Sequence, residues 1–328
     1  MKPFCHLLAL HAYVPDTVLT NADLAAVVDT NDEWIVSRTG IRRRHRLDAA
    51  DNASDMALRA ARGALDDAGL LPAELTHVIT ATCTPDVLSP SVACIVAGQL
   101  DTGPVMAFDF SAACSGFLYG LSLCRSLLAQ DHEAKILFIC AEALSRRVNW
   151  ADRSTCVLFG DAATACVVSA GSANVLAGLE DVLCLSDGRQ RDLIVVGGGT
   201  SSRYGLGDPV GEDFFIRMQG RETYKHAVRS MVQVCEDVLA KNGLTAADVD
   251  LLVPHQANLR IIEAVGGRLG ITGERVFVNV DQYGNPSSAS IPLAIAEAHA
   301  QGRIRPGCRV LATAFGAGLT WGAALLRF

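Results

Sequence analysis

The sequence has no C-x-x-C pair, no G-x-x-x-x-G-K loop, no long apolar run and no excess of positive charge, and each absence removes a class of function. Its 11 cysteines are an odd number scattered over 328 residues, which fits neither a disulfide framework nor the usual zinc knuckle. They read as mostly buried thiols in a reducing compartment, where cysteine packs as a small apolar residue. No stretch approaches the roughly 18 uninterrupted apolar residues of a membrane span, and Met1-Lys2-Pro3-Phe4-Cys5-His6 lacks the basic start and apolar core of a signal peptide. These features predict a cytoplasmic protein with no membrane attachment. A net charge of -7 argues against nucleic-acid binding, which needs a basic surface, although an acidic protein could still dock on a local basic patch. Without the phosphate-loop pattern, and with Gly197-Gly198-Gly199 lacking the strand–turn–helix of a dinucleotide site, neither metal nor permanently bound cofactor is expected.

What is present is a large apolar complement, half of all residues, enough for a substantial core at this length, and an internal repeat. Ala64 to Ile79 aligns without a gap on Val238 to Val253: Gly69 matches Gly243, Leu70 matches Leu244, Ala73 matches Ala247 and Glu74 matches Asp248, an offset of 174 residues. Lys135 to Ala141 resembles Cys308 to Ala314 at an offset of 173. Both copies of the first segment read as a helix closed by glycine, a short acidic turn and a buried strand. An α/β fold of two pseudo-duplicated halves, 1–172 and 173–328, with largely parallel buried strands, is predicted. The boundary is placed at Ser169-Ala170-Gly171-Ser172-Ala173, and Ser186 to Gly220 reads as a loop bordering a site.

Three turns carry candidate chemistry. Phe108 to Gly120 reads as a strand turning through small residues into an apolar helix, with Cys114 at the helix start, where unsatisfied N–H groups favour thiolate over thiol. Leu252-Val253-Pro254-His255-Gln256-Ala257-Asn258 puts a histidine at a strand end, suited to acid–base or electrostatic work. Val278 to Ser290 reads as a strand, a glycine turn and a helix opened by small residues, with Asn285 before Pro286. Each has a plainer reading as a buried thiol, a hydrogen-bonded structural histidine or an N-cap asparagine. The glycine-containing segments around Asp161 and from Phe315 to Gly322 allow backbone to approach backbone or ligand.

These segments, with Thr30 to Arg42 and Val253 to Ile261, resemble β-ketoacyl-acyl-carrier-protein synthase III from end to end. The resemblance implies a homodimeric, five-layered α-β-α-β-α thiolase fold. It implies that Cys114 accepts an acyl group from acyl-coenzyme A, most simply acetyl-coenzyme A. His255 and Asn285 would then assist decarboxylation of malonyl-acyl-carrier protein, initiating type II fatty-acid synthesis. Backbone N–H groups of Cys114 and Ala317 would form the oxyanion hole. Thr30, Trp34, Arg38 and Arg153 would meet the nucleotide end of coenzyme A and Asn258 its pantetheine arm, while Arg221, Lys225 and Arg260 would meet the acidic carrier. Without the resemblance, these read as a surface aromatic and solvated charge.

The chain departs from the family pattern in places. Ser89 stands where members restricted to acetyl primers carry a large aromatic residue that reaches across the dimer into the acyl pocket, so a larger primer is compatible with this sequence. Ala162 and Ala163 replace glycines after Asp161, and Ala317 replaces the middle glycine of the tail; these small side chains predict altered packing with activity retained. A related condensing enzyme of secondary metabolism is the principal alternative, and an inactive partner subunit, which would be expected to lose part of its Cys, His and Asn set, a weaker one. The order Cys114, His255, Asn285 also occurs in papain-like proteases, but the residues behind Cys114 and the absence of secretory features oppose that class.

Overall fold

The structure, a computed structural model, describes residues 4–171, 175–197 and 211–328. Its strands are β1 (His6–Tyr13), β2 (Val18–Thr20), β3 (Arg43–His45), β4 (His77–Ala81), β5 (Met106–Phe110), β6 (Lys135–Ala143), β7 (Asp161–Ser169), β8 (Ala177–Ser186), β9 (Ile194–Val196), β10 (Ile216–Met218), β11 (Leu251–Pro254), β12 (Arg309–Gly316) and β13 (Thr320–Arg327). The helices are α1 (Asn21–Ala25), α2 (Asp32–Thr39), α3 (Ala53–Ala68), α4 (Val92–Leu100), α5 (Gly116–Gln130), α6 (Gly220–Lys241), α7 (Leu259–Leu269), α8 (Val280–Tyr283) and α9 (Ser290–Ala300).

Strand side chains alternate between two apolar environments. Along β6, Ile136, Phe138 and Cys140 pack in a central core with Leu118, Leu121 and Leu128 of α5 and Ile291, Ala294 and Ile295 of α9. The intervening Leu137, Ile139 and Ala141 belong to an outer core with Met56, Ala57 and Ala60 of α3 and Val92 and Val96 of α4. On the other side, Val310, Ala312 and Ala314 of β12 join the central core, while Leu311 and Phe315 join Met231, Val234 and Val238 of α6 and Val265 of α7. The layers therefore run α-β-α-β-α. A helix between two sheets must be apolar on both sides, and α5 and α9 are. Truncating a buried leucine such as Leu121 to alanine would cost about 2–5 kcal/mol.

The strands form one hydrogen-bonded series, β11-β12-β13-β8-β1-β7-β6-β4-β5, continuous because β1 pairs with β8 at His6↔Gly178 and Leu7↔Ala177. The pairs β4/β5, β4/β6 and β11/β12 are parallel, whereas β6/β7, β1/β7, β12/β13, β13/β8 and β1/β8 are antiparallel. The expectation of largely parallel strands is thus corrected to a mixed sheet. The turn between Gly316 and Thr320 is far too short for the crossover that parallel neighbours need. The parallel strands β4, β5 and β11 lead from their carboxyl ends into Cys83, Cys114 and His255, the end of a sheet where α/β proteins place their sites.

Residues 174 apart adopt like conformations. A 3-10 turn at Ala113–Ser115 opens α5 and another at Ser287–Ala289 opens α9; Ala113 has φ +45° and Ser287 φ +48°. In the acidic turns, the Leu71 N–H donates to Glu74 Oε2 at 2.9 Å and the Thr245 N–H donates to Asp248 Oδ2 at 2.8 Å.

Two readings of local structure change. Val280–Tyr283, expected as strand, is helix α8, because Gln256 Oε1 accepts hydrogen bonds from the N–H groups of Asn279 and Val280 at 2.9 and 3.2 Å, satisfying donors of a first helical turn. Within the expected loop from Ser186 to Gly220, β9 and β10 pair antiparallel from Ile194↔Met218 to Val196↔Ile216, and a 3-10 segment spans Gly188–Leu193. Gly198, Gly199 and, at the expected boundary, Ser172 and Ala173 lie outside the described residues.

Candidate active site

One cavity of about 680 Å³ gathers most of the residues singled out in the sequence. Cys114, His255 and Asn285 line it together with Trp34, Arg38, Arg153, Asn258, Arg221, Lys225 and Arg260. Phe159, Met218, Met231 and Phe315 contribute apolar wall. Among the described residues, five cationic side chains and no carboxylate line the cavity. That local sign is opposite to the net charge of -7 and favours an anionic ligand.

Cys114 sits in the 3-10 turn before α5, half-buried, after Ala113 in the left-handed region that non-glycine residues rarely occupy. Gly316 makes this packing possible: a Cβ there would lie 2.8 Å from the Cys114 backbone nitrogen and 3.1 Å from its Cβ. Thr320 Oγ1 lies 3.0 Å from the carbonyl oxygens of both Ala112 and Ala317, tying the tail turn to the Cys114 turn.

His255 follows β11 and is 4% exposed. Its N–H donates to the Thr313 carbonyl at 2.8 Å, and its Nδ1 is 2.6 Å from Ser290 Oγ at the start of α9, which leaves Nε2 for other partners. Burial lowers the imidazole to about 3, so it is neutral throughout the physiological range. Asn285 Oδ1 accepts from the Ser287 N–H at 2.9 Å, an Asx turn that leaves its Nδ2 as a donor. The segment is clamped against residues 158–160: the Asn285 N–H donates to the Leu158 carbonyl and the Gly160 N–H to the Asn285 carbonyl. Gly284, at φ +62°, lets these backbones meet, since a Cβ there would lie 2.7 Å from the Leu158 oxygen.

Burial pushes the Cys114 thiol up to about 12; the Ser287 hydroxyl opposes this and the Glu142 charge adds to it. The helix start favours thiolate, as expected, but desolvation is the larger influence on this sulfur.

The Arg38 and Arg153 guanidinium carbons lie 4.8 and 5.1 Å from the Trp34 ring centroid, and Arg153 also donates to the Asp29 carbonyl at 2.8 Å. Asn258 caps α7, accepting from the Arg260 N–H at 2.9 Å and donating to the Arg38 carbonyl at 3.0 Å, so its amide is engaged in joining α2 to α7. Arg221, Lys225 and Arg260 are exposed at the cavity; Lys225 pairs with Glu222 at 2.7 Å. Three expected residues are not brought into this cavity. Thr30 has a buried Oγ1 without a hydrogen-bond partner, Ala317 lies on the tail turn with its carbonyl accepting from Thr320 Oγ1, and Ser89 is exposed in a separate surface cavity with Leu88, Phe108 and Phe110.

The sequence reading missed the floor beneath Cys114. Glu142, fully buried on β6, accepts hydrogen bonds from the Cys83 N–H at 3.1 Å, the Cys83 thiol at 3.2 Å, Thr84 Oγ1 at 3.1 Å and Ser288 Oγ at 2.9 Å. The available signal was a glutamate inside the apolar run Ile136 to Ala143, since acids are almost never buried unpaired.

Residues 108–188 and 239–328 match the family models described as 3-oxoacyl-[acyl-carrier-protein] synthase III and its C-terminal part. A β-ketoacyl-[acyl-carrier-protein] synthase III of Nitratidesulfovibrio vulgaris is 60% identical over 324 residues, covering 99% of this chain and 98% of the relative. The crystal structure of 3-oxoacyl-[acyl-carrier-protein] synthase III from Aquifex aeolicus superposes with a TM-score of 0.90 at 44% identity, covering 99% of this chain and 100% of that one. A priming β-ketosynthase of a polyketide biosynthetic pathway superposes with 0.89 at 32% identity, covering 100% of this chain and 97% of its own. With its thiolase fold and full-length identity to these enzymes, the chain belongs to the β-ketoacyl-acyl-carrier-protein synthase III family of condensing acyltransferases.

Proposed function

We propose that the chain performs the family's initiating condensation with Cys114 as acyl carrier: an acyl-coenzyme A primer, acetyl-coenzyme A first among candidates, acylates Cys114, and malonyl-acyl-carrier protein then loses carbon dioxide and attacks the thioester. The observation that carries this reading is the convergence of Cys114, His255 and Asn285 with Trp34 and five cationic side chains in one cavity. A sulfur both attacks and leaves a thioester readily, and the N–H groups of Cys114 and Ala317 are the proposed donors to the tetrahedral oxygen. Neutral His255 and the Asn285 amide stabilise the enolate as hydrogen-bond donors, and an imidazole at about 3 has no acidic proton to quench it. Apolar walls favour loss of the malonyl carboxylate as uncharged carbon dioxide.

Trp34, Arg38 and Arg153, with Thr30 nearby, are the proposed contacts for the nucleotide of coenzyme A. Asn258 is assigned to the pantetheine arm, and Arg221, Lys225 and Arg260 to an acidic carrier protein. Coenzyme A thioester enters as a substrate, with no permanent cofactor. Halves 1–172 and 173–328 are the proposed structural repeats, and the chain works in the cytoplasm; among the described residues no helix is long and apolar enough to cross a membrane.

The proposed assembly is a homodimer. Its support is the edge strand β5, where Met106 is 53% exposed, together with the loop after β4, where Leu88 is 70% and Val87 48% exposed and Leu88 shares a surface cavity with Phe108 and Phe110 of β5, bare apolar surface of the kind that proteins cover. Ser89 lies on that loop, so its proposed place at an acyl pocket is in the partner subunit.

The test is intact-mass analysis after mixing the protein with acetyl-, branched, medium-chain and aromatic acyl-coenzyme A, with peptide mapping of the adduct. Acetylation at Cys114 that malonyl-carrier protein discharges is the expected result. Preference for a larger acyl group moves the assignment to a specialised pathway, and no adduct from any donor overturns it.

A further inference from the structure

A thiol attacking a thioester must lose its proton, yet no carboxylate lines the cavity among the described residues, and His255 is drawn low by burial. The polar route away from Cys114 runs downward. The 3-10 turn of Ser287, 2% exposed, packs against both the 3-10 turn of Cys114 and strand β6 of Glu142, and the Ser287 hydroxyl draws the Cys114 and Cys83 thiols down against burial. The Cys83 thiol donates to Glu142 Oε2 at 3.2 Å. Exchangeable groups thus lie in the order Cys114 thiol, Ser287 hydroxyl, Cys83 thiol and Glu142 carboxylate, the last pair joined by a hydrogen bond.

We propose that Glu142 stores the Cys114 proton while the acyl group is on the enzyme, receiving it through Ser287 and Cys83 and returning it when the acyl group leaves. In acylation, the Cys114 sulfur bonds to the acyl carbon as its proton shifts along the chain. The acyl–sulfur bond of coenzyme A breaks, leaving a coenzyme A thiolate and a neutral Glu142 acid. The thiolate takes its proton from water. In condensation, the enolate carbon bonds to the acyl carbon, the Cys114 thiolate is expelled, and Glu142 gives the proton back.

The surroundings of Glu142 suit both states. Four donors, from Cys83, Thr84 and Ser288, hold the carboxylate, and no cationic side chain hydrogen-bonds to it among the described residues. Burial raises it above the usual carboxylate range, which favours proton capture. The titratable groups acting electrostatically with it are Cys83 after β4, Cys114 before α5 and Cys140 on its own strand. An acid that served only to tether three segments would have the same contacts but would not change its proton content during turnover.

The proposal rests on Cys114 being the acyl carrier, and it is tested by proton counting. In weak buffer near pH 7, below the ordinary thiol value of about 8.5, mixing the protein with acetyl-coenzyme A should remove one proton from solution per acyl adduct, read with a pH-indicator dye against adduct mass. Infrared difference spectra should show a protonated carboxyl band on acylation that is absent in Glu142→Gln. If that variant does not fold, Cys83→Ala breaks the chain while leaving the acid: uptake should be lost, and Cys83→Ser should restore it. Adduct formation without proton uptake in the unmodified protein, or uptake unaltered in Cys83→Ala, overturns proton storage. A chain that takes no acyl group at Cys114 defeats the acyl-carrier reading instead.

Discussion

Burial keeps His255 neutral, and that property separates its work from that of Cys114. Cys114→Ala should abolish acyl transfer. His255→Ala should retain most of the acylation while losing on the order of 10²–10³-fold in malonyl decarboxylation, the usual cost of an oxyanion donor. Adduct mass reads the first step and carbon dioxide release the second; equal loss of both in His255→Ala would defeat the division. The same burial sets a pH dependence. The folded imidazole titrates at about 3, below the ordinary 6.5, so as pH falls below 6.5 the unfolded chain takes a proton that the folded chain refuses. Stability contributed by neutral His255 is therefore complete above 6.5 and lost toward 3. Between pH 7 and 5 this amounts to about 2 kcal/mol, and denaturant titrations should show His255→Gln losing less stability over that interval than the unmodified protein.

Gly316 shows how one element places another. In Gly316→Ala the new methyl group would press on the Cys114 backbone at 2.8 Å, and displacing a reacting atom by a fraction of an ångström to an ångström costs up to about 10²-fold. Slower acylation, with circular dichroism unchanged, is the expected outcome; an unchanged rate would show that the turn yields without cost. The sequence made the surrounding frame readable because its signals were local. Gly69 ends α3 in the left-handed conformation, and Cys114 follows small residues into an apolar helix. The second repeat is capped one residue earlier than expected, by Asn242, with Gly243 next at φ +67°. Helix α8 was hidden because the Gln256 side chain that satisfies its first donors comes from 23 and 24 residues earlier in the chain. Glu142 was hidden likewise, since its partners come from β6's neighbouring strand end and from the turn before α9.

At the scale of the whole molecule, the sheet ends on β5 with apolar Met106 bare, and Leu88 is exposed on the loop after β4. Replacing both with Met106→Glu and Leu88→Asp should shift sedimentation toward the monomer and depress activity while leaving the isolated chain folded, because neither side chain is in a core. Unaltered sedimentation would remove this edge from the proposed interface. The α/β class was legible from strands alternating with helices and the layering came with the family resemblance, whereas strand direction was not legible, because it is set by the length of connections rather than by apolar patterning. The 174-residue offset also relates Cys114 to Ser288, on matching turns with φ +45° and +48° at the preceding residues. One copy of the turn carries the sulfur proposed to hold the acyl group, and the other carries a hydroxyl bonded to Glu142. A duplicated backbone has in this way been divided into tool and anvil: evolution could relax the chemistry of the second turn without losing its shape, and a substitution at Ser288 reaches the first turn through the common floor.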